Sequence, residues 1–124
     1  MEHVLEKTVA AFNQRAYSMA AELAEEACQQ AQGQDEAFWL GLNETCQGFA
    51  LIMDNRLPQA EKKLVAAMEK LRHFGYRYNN FEVTSALAGV RKAVEEIHLV
   101  RERHKKTFDV TLLPQLRMAA KADD

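Results

Sequence analysis

Turn-formers and cysteines are scarce in this chain of 124 residues, which has five glycines, two prolines and two cysteines. So few glycines and prolines cannot supply the turns of a many-stranded sheet, and helices should dominate. Cys28 and Cys46 lie far apart without a Cys-x-x-Cys spacing, so neither a disulfide framework nor a zinc site is indicated. Each falls among helical residues and reads as a small apolar thiol in a reducing cytoplasm. No stretch approaches the roughly 18 apolar residues of a membrane span, and the first ten residues, MEHVLEKTVA, carry acids where a signal peptide needs an apolar core. A cytoplasmic protein without membrane association is expected. Phosphate-binding loops, dinucleotide glycine fingerprints and nucleophile elbows are absent as well.

What is present is helical periodicity in a chain long enough to bury one core. Val4, Leu5, Val9 and Phe12 recur at helical spacing, Asn13-Gln14-Arg15 interrupts, and Met19, Ala20, Leu23, Ala24 and Ala27 resume the pattern as a second helix. Gln32-Gly33-Gln34 closes that helix, and Asp35 is placed to cap the third. Asn55-Arg56-Leu57 turns the chain, with Pro58 in the first turn of a fourth helix, where its missing N–H costs least. Leu64, Val65, Met68 and Leu71 give that helix its core face. After HFGYRY (73–78), Asn79 and Glu82 have the spacing of a capping box opening a fifth helix, with Val83, Leu87, Val90, Val94 and Ile97 in period. Arg101 to Lys106 is almost wholly charged. Phe108, Val110 and Leu112 then alternate like a strand without an evident partner, followed by Pro114 and room for a short helical turn.

The expected architecture is all-α: about five main helices, built as two antiparallel hairpins plus a fifth helix. Residues 1–106 form the bundle, and 107–124 form an extended C-terminal segment packed on it or on a partner. An internal echo supports the hairpins, because Tyr17, Ala20, Ala24 and Ala27 find Leu57, Ala60, Leu64 and Ala67 forty residues on. This is similar to the second helix of a tetratricopeptide hairpin, at a longer offset than that repeat uses. Two stretches, AFNQRAYSMAAELAEEA (11–27) and FWLGLNETCQGFALIMDNRLPQAEKKLVAAMEKL (38–71), together resemble domain-of-unknown-function family 309, a group of small all-helical proteins. Phe12-Asn13, Tyr17, Ala20, Glu22 and Gly41 match its pattern. Ala21 stands where the family has histidine, Cys28 where it has tryptophan, and Glu44 where it has glutamine. The resemblance implies the fold and brings no activity with it.

The stretch FWLGLNETCQGFALIM (38–53) is the most apolar in the chain, yet Asn43, Glu44 and Gln47 interrupt it. Phe38, Leu42, Thr45, Phe49, Ile52 and Met53 share a core face, extended by Trp39, Cys46 and Ala50. Asn43, Gln47 and Asp54 fall opposite and read as a solvated stripe. Glu44 lies beside Gly41 and Gly48, two glycines that each cost a helix ~1 kcal/mol relative to alanine unless another backbone approaches there. If the second helix approaches, Glu22 meets Glu44 in a partly buried groove lined by Asn13, Gly41, Asn43, Gln47 and Gly48. Such a carboxylate pair, with Tyr17 nearby, suits general acid–base work or cation binding. The competing expectation is that the carboxylates face water or pair with Arg15 or Arg56. Close approach also predicts destabilisation by Gly41→Ala and, more weakly, by Gly48→Ala.

Other constellations are thinner. Glu95 and His98 make one Glu-x-x-His, half of what a di-iron bundle needs, so an exposed or satisfied histidine is expected. No metal or other cofactor is expected. Residues 1–60 hold three Lys/Arg against nine Asp/Glu and residues 61–124 hold thirteen against nine, giving −6 and +4. RHFGYRYNNF (72–81) with Arg101, Arg103, Lys105 and Lys106 has the chemistry to stack bases and hold phosphates. An isoelectric point near 6.1 argues instead for a packed corner with Phe74, Tyr76 and Phe81 buried. The first expectation is therefore a non-enzymatic protein-interaction module, homodimeric or bound to another protein through apolar residues such as Phe108, Leu112, Leu113, Leu116 and Met118. A small enzyme or ligand-binding protein using Glu22, Glu44 and Tyr17 is the alternative, and weak nucleic-acid binding comes last.

Overall fold

The chain ends its first and third helices with the same backbone device, and this makes the two hairpins. In the computed structural model, which describes residues 2–120, α1 (Glu2–Asn13) is followed by α2 (Tyr17–Gln30), and α3 (Gln34–Met53) by α4 (Leu57–Leu71). Arg15 and Asn55 take the left-handed conformation, with φ of 63° and 58°. Arg15 N–H donates to Phe12 C=O and Ala16 N–H to Ala11 C=O, both at 2.9 Å; Asn55 and Arg56 repeat these bonds to Ile52 and Leu51 at the same length. This pairing of a six-to-one with a five-to-two bond satisfies carbonyls that the helix end would leave orphaned. It recurs after α5 (Val83–Arg101), where Arg103 has φ 65° and His104 N–H donates to Leu99 C=O at 2.8 Å, but there no α-helix follows within the described residues.

The fold is all-α, a compact bundle of five helices among the described residues, as the sequence predicts, to which one small β-hairpin is added. The central helix is α3, packed chiefly against α2 and α4. Phe38, Trp39, Leu42, Thr45, Cys46, Phe49 and Ile52 are all buried on it. Phe49 also meets Phe12 of α1 and Tyr17 of α2, with ring centroids 5.3 and 5.8 Å apart. Truncating a fully buried phenylalanine such as Phe38 or Phe49 typically costs ~3–5 kcal/mol, so these rings dominate the core. Met53 and Val65, assigned to core faces by periodicity, are half exposed, each lying at the margin of its apolar stripe.

Between α4 and α5 the structure departs from expectation. A 3₁₀ turn, Arg72–Phe74, leads into an antiparallel hairpin of β1 (Arg77–Tyr78) and β2 (Phe81–Glu82), with Tyr78 opposite Phe81. Asn79 and Asn80 form its two-residue turn, both left-handed at φ 50° and 64°, the conformation that suits the right-handed twist of a hairpin and that asparagine tolerates. Asn79 therefore does not cap α5. Its first N–H groups are satisfied by the Tyr76 carbonyl, which accepts from Val83 at 2.8 Å and Thr84 at 3.3 Å. Nor does Asp35 cap α3: Gly33 is the N-cap, and Asp35 in the first turn accepts a short hydrogen bond from the Tyr78 hydroxyl. Phe74, Tyr78 and Phe81 all pack on Phe38, whereas Tyr76, expected inside, precedes the hairpin and is 83% exposed.

The tail meets β2 through Arg117 and Met118, not through the alternating Phe108, Val110 and Leu112, of which Val110–Leu112 forms a 3₁₀ turn instead of a strand. Arg117 C=O accepts from Glu82 N–H at 2.9 Å, Met118 bridges Phe81, and Leu116 is buried. Asn13 clasps both backbone groups of Leu116, accepting from its N–H at 2.8 Å and donating to its C=O at 3.0 Å. Glu96, 2% exposed, takes Lys105 at 2.8 Å on one oxygen and Asp109 N–H at 3.1 Å on the other. The turn in this segment is a 3₁₀ turn at Val110–Leu112, ahead of Pro114; no helical turn follows within the described residues, and residues 121–124 of the expected segment lie outside them.

Candidate functional site

The glycine side of α3 does receive a close neighbour, but that neighbour is α4. A Cβ on Gly48 would stand 2.4 Å from Leu64 Cδ2 and 2.6 Å from its Cγ; one on Gly41 would stand 3.0 Å from two atoms of Leu71. Helical periodicity gives the angle at which a small residue points, not which element fills the space. Glu44 lies on this same side and pairs with Lys70 of α4, Nζ to Oε1 at 2.7 Å, with the carboxylate side chain only 13% exposed. The expected partners Arg15 and Arg56 are both exposed on hairpin turns. Glu22 is exposed on α2 and has no part in this ion pair. The two carboxylates therefore sit in different surroundings, and the acid–base pair is not assembled.

The α2 side of α3 holds Asn43 and Gln47. Asn43 was expected in water and is 6% exposed: Nδ2 donates to Ala21 C=O of α2 at 2.7 Å, while Oδ1 accepts from Gln47 Nε2 at 2.9 Å. A buried amide must have its groups satisfied, and the small Ala21 lets α2 come near enough to do so. Tyr17 is buried beside Phe12 and Phe49, where desolvation raises its pKa. Asn13 belongs to the tail clasp, not to this side.

Between α2 and α4, α3 is left uncovered along one strip. The resulting groove, about 410 Å³, has Gln47, Ala50 and Leu51 as its floor, Ala21, Glu22 and Glu25 on the α2 wall and Lys63 on the α4 wall. Glu22 thus lines a groove as expected, though without Glu44. The floor of Gln47, Ala50 and Leu51 and the charged walls offer contact surface.

Elsewhere ionisable groups are tied to one another. A smaller cleft joins α4 to α5, where Glu61 meets His98 Nε2 at 2.8 Å and Arg101 Nη1 at 2.5 Å. Burial pushes the Glu61 carboxyl up, but the hydrogen bonds and charges of His98 and Arg101 outweigh it and hold the carboxyl below its ordinary 4.5. The histidine of the Glu-x-x-His is therefore satisfied across helices rather than by Glu95. Among the described residues no group of three or more His, Cys, Asp or Glu is arranged to hold a metal ion. Burial lifts the Cys46 thiol to about 12, and it lifts half-buried Cys28 as well, so neither sulfur is activated. Hydrogen bonding to Asp35, then burial, raises the Tyr78 phenol to about 12. Several of the basic residues that suggested nucleic acid are paired within the chain: Arg77 with Glu82, Arg101 with Glu61 and Lys105 with Glu96.

Two features escaped the sequence. Glu96 reads as surface charge beside Glu95, and its partners Lys105 and Asp109 lie beyond the helix end. The uncovered strip of α3 follows from the spacing of α2 and α4, which no pattern within one helix encodes. Among the described residues no helix is long and apolar enough to cross a membrane. In comparison with known proteins, no family model matches the chain, and no curated protein or solved structure does either.

Proposed function

We propose that this chain is a non-enzymatic, cytoplasmic protein-interaction module that receives a helical segment of a partner in the groove over α3. The observation that carries the proposal is the uncovered strip itself: a central helix packed on its other sides presents Ala50, Leu51 and Gln47 between two walls of small and charged residues. Ala50 on the floor and Ala21 on the wall are small enough to let a partner helix approach closely, and an amphipathic helix laid in a groove is a recurrent mode of recognition. The echo between α2 and α4, now joined by matching turns, supports a tetratricopeptide-like origin for the hairpins, and we keep the resemblance to family 309 as part of this proposal. The alternative of a carboxylate-pair enzyme loses its ground with Glu44 bound to Lys70.

Self-association is one form the partner takes in this proposal. Leu116 is buried and Phe108, Leu113 and Met118 pack partly on their own chain, so a homodimer would draw on the exposed Met19, Met53 and Val65 instead. The test is selection of helical peptides against the purified protein, followed by binding to variants. Selected peptides should compete with one another, lose binding to Ala50→Arg and keep it with Val65→Arg. Binders indifferent to Ala50→Arg, together with a monomer at high micromolar concentration by sedimentation, would remove the groove from consideration.

A further inference from the structure

A further depression, about 420 Å³, lies between α5 and the tail. Its lining comprises Ser85 and Lys92 from α5 and Thr111, Gln115 and Arg117 from the tail, with no carboxylate among its lining residues. We propose that it binds a small soluble phosphate monoester. The volume lies in the range of small-molecule sites, ~300–1,000 Å³.

Four observations carry the proposal. First, the two cations come from separate elements, and neither Lys92 nor Arg117 has an ion-pair partner among the described residues, whereas Arg77, Arg101 and Lys105 each have one. Second, the backbone around Arg117 is fixed: Leu116 is held by Asn13, Arg117 C=O accepts from Glu82 N–H, and Met118 bridges Phe81. Leu116 is buried and Arg117 exposed, as alternation along an extended segment requires. Third, Thr111 is oriented rather than free: Asp109 Oδ1 accepts from its N–H at 2.9 Å and its hydroxyl at 2.7 Å, leaving the hydroxyl oxygen as acceptor for a protonated phosphate oxygen. Ser85 and Gln115 supply neutral donors. Fourth, the pocket's floor depends on close docking of the tail, since a Cβ on Gly89 would stand 2.6 Å from Pro114 Cβ.

The class of ligand follows from the chemistry. A guanidinium presents a planar fork of donors that matches two phosphate oxygens, and an ammonium adds a point charge for a third. An uncharged ligand would leave both cations unused, and a long polyanion would need cations beyond the two that line the pocket, Lys92 and Arg117. The positive charge excess of residues 61–124 thus finds a local expression here.

The experiment is amide NMR of the whole chain titrated with inorganic phosphate, at ionic strength held constant with sodium chloride. Saturable shifts are expected at Thr111, Gln115 and Arg117. The double variant Lys92→Gln/Arg117→Gln should weaken the response by about tenfold or more, as loss of charged hydrogen bonds implies. Lys62→Gln/Lys106→Gln, which removes the same net charge from exposed sites outside the pocket, should leave it unchanged. All four side chains are exposed, so none of these variants endangers folding. Shifts that fail to saturate, or that fall equally in both double variants, overturn the proposal in favour of diffuse charge. Sedimentation with phosphatidic-acid vesicles, without a response to free phosphate, overturns it in favour of a lipid surface.

Discussion

The two helical hairpins share a turn and differ in how their helices touch. In the first, α2 brings Ala20, Ala24 and Ala27 to the core, all buried, and its backbone comes close enough to α3 for Asn43 to bond Ala21 C=O. In the second, the equivalent positions of α4 are Ala60, Leu64 and Ala67, followed by Leu71, and the room they need comes from Gly48 and Gly41 on α3. The close approach to α3 therefore rests on alanines of α2 in one case and, in the other, on glycines of α3 that receive leucines of α4. What a helix pair has to satisfy is the summed volume at each contact, since interiors are packed to crystal-like density with few voids. Which partner contributes the small side chain is free to vary, and here it varies between two copies of one motif.

The largest expected effect tests that exchange of volume directly. Gly48→Ala should destabilise the fold by ~1–3 kcal/mol, because the new Cβ would lie within 2.6 Å of two atoms of Leu64, which is fully buried and has nowhere to turn. Chemical denaturation of Gly48→Ala, Leu64→Ala and the double variant measures the coupling. The double variant should be more stable than the two single losses predict, since shortening Leu64 opens the space the new methyl needs. Additive losses would mean that the two side chains do not compete for one volume.

Why these contacts were only partly legible follows from what a sequence pattern encodes. Period and capping chemistry act within one helix, so the five helices, the Asn55 turn and the Pro58 start could all be read locally. The direction of Gly41 and Gly48 is readable too, but the pattern within α3 does not say which helix fills the space, and the alanines of α2 suggest closeness where Leu64 and Leu71 of α4 are the actual neighbours. Asn43 looked like surface because its partner is a backbone carbonyl, which leaves no mark in sequence. Asn79-Asn80 carried a hairpin signal, but strands of two residues are too short to show alternation, and Glu82 three residues on completed a false capping box.

Gly41→Ala should show a smaller loss than Gly48→Ala, reversing the order that the sequence suggested. Its Cβ would meet Leu71 at 3.0 Å and Lys70 Cβ at 3.2 Å, so displacements of a few tenths of an ångström suffice. The gain in helix propensity, up to ~1 kcal/mol, offsets most of the strain, and a net loss under ~1 kcal/mol is expected in the same denaturation experiment. A loss exceeding that of Gly48→Ala would show that Lys70, held to Glu44, cannot move.

The second hairpin has an ion-pair tie that the first lacks among the described residues, from Glu61 on α4 to His98 and Arg101 on α5. The folded carboxyl titrates below its ordinary 4.5, so its contribution to stability is present above that pH and is lost as pH falls through the folded value. Denaturation midpoints measured from pH 6 down to pH 3 should fall less steeply for Glu61→Gln than for the parent chain. Parallel curves would mean that the tie contributes nothing beyond its geometry.

The smallest effect concerns the shared turn. Arg15 and Asn55 occupy equivalent left-handed positions with φ near 60°, yet the two residue types bear that conformation differently. A side chain with a full Cβ costs roughly 1–2 kcal/mol there, whereas asparagine offsets part of this through local hydrogen bonding, and glycine has no such penalty. Arg15→Gly should therefore raise stability by up to ~1 kcal/mol, after the larger backbone entropy of unfolded glycine is subtracted, and Asn55→Gly by less. Both side chains are exposed, and neither has an ion pair among the described residues, so the comparison isolates the backbone. If Asn55→Gly gained more than Arg15→Gly, the turns would not be equivalent in energy despite matching hydrogen bonds, and the first hairpin would owe its register to the Phe12 and Tyr17 rings rather than to its turn.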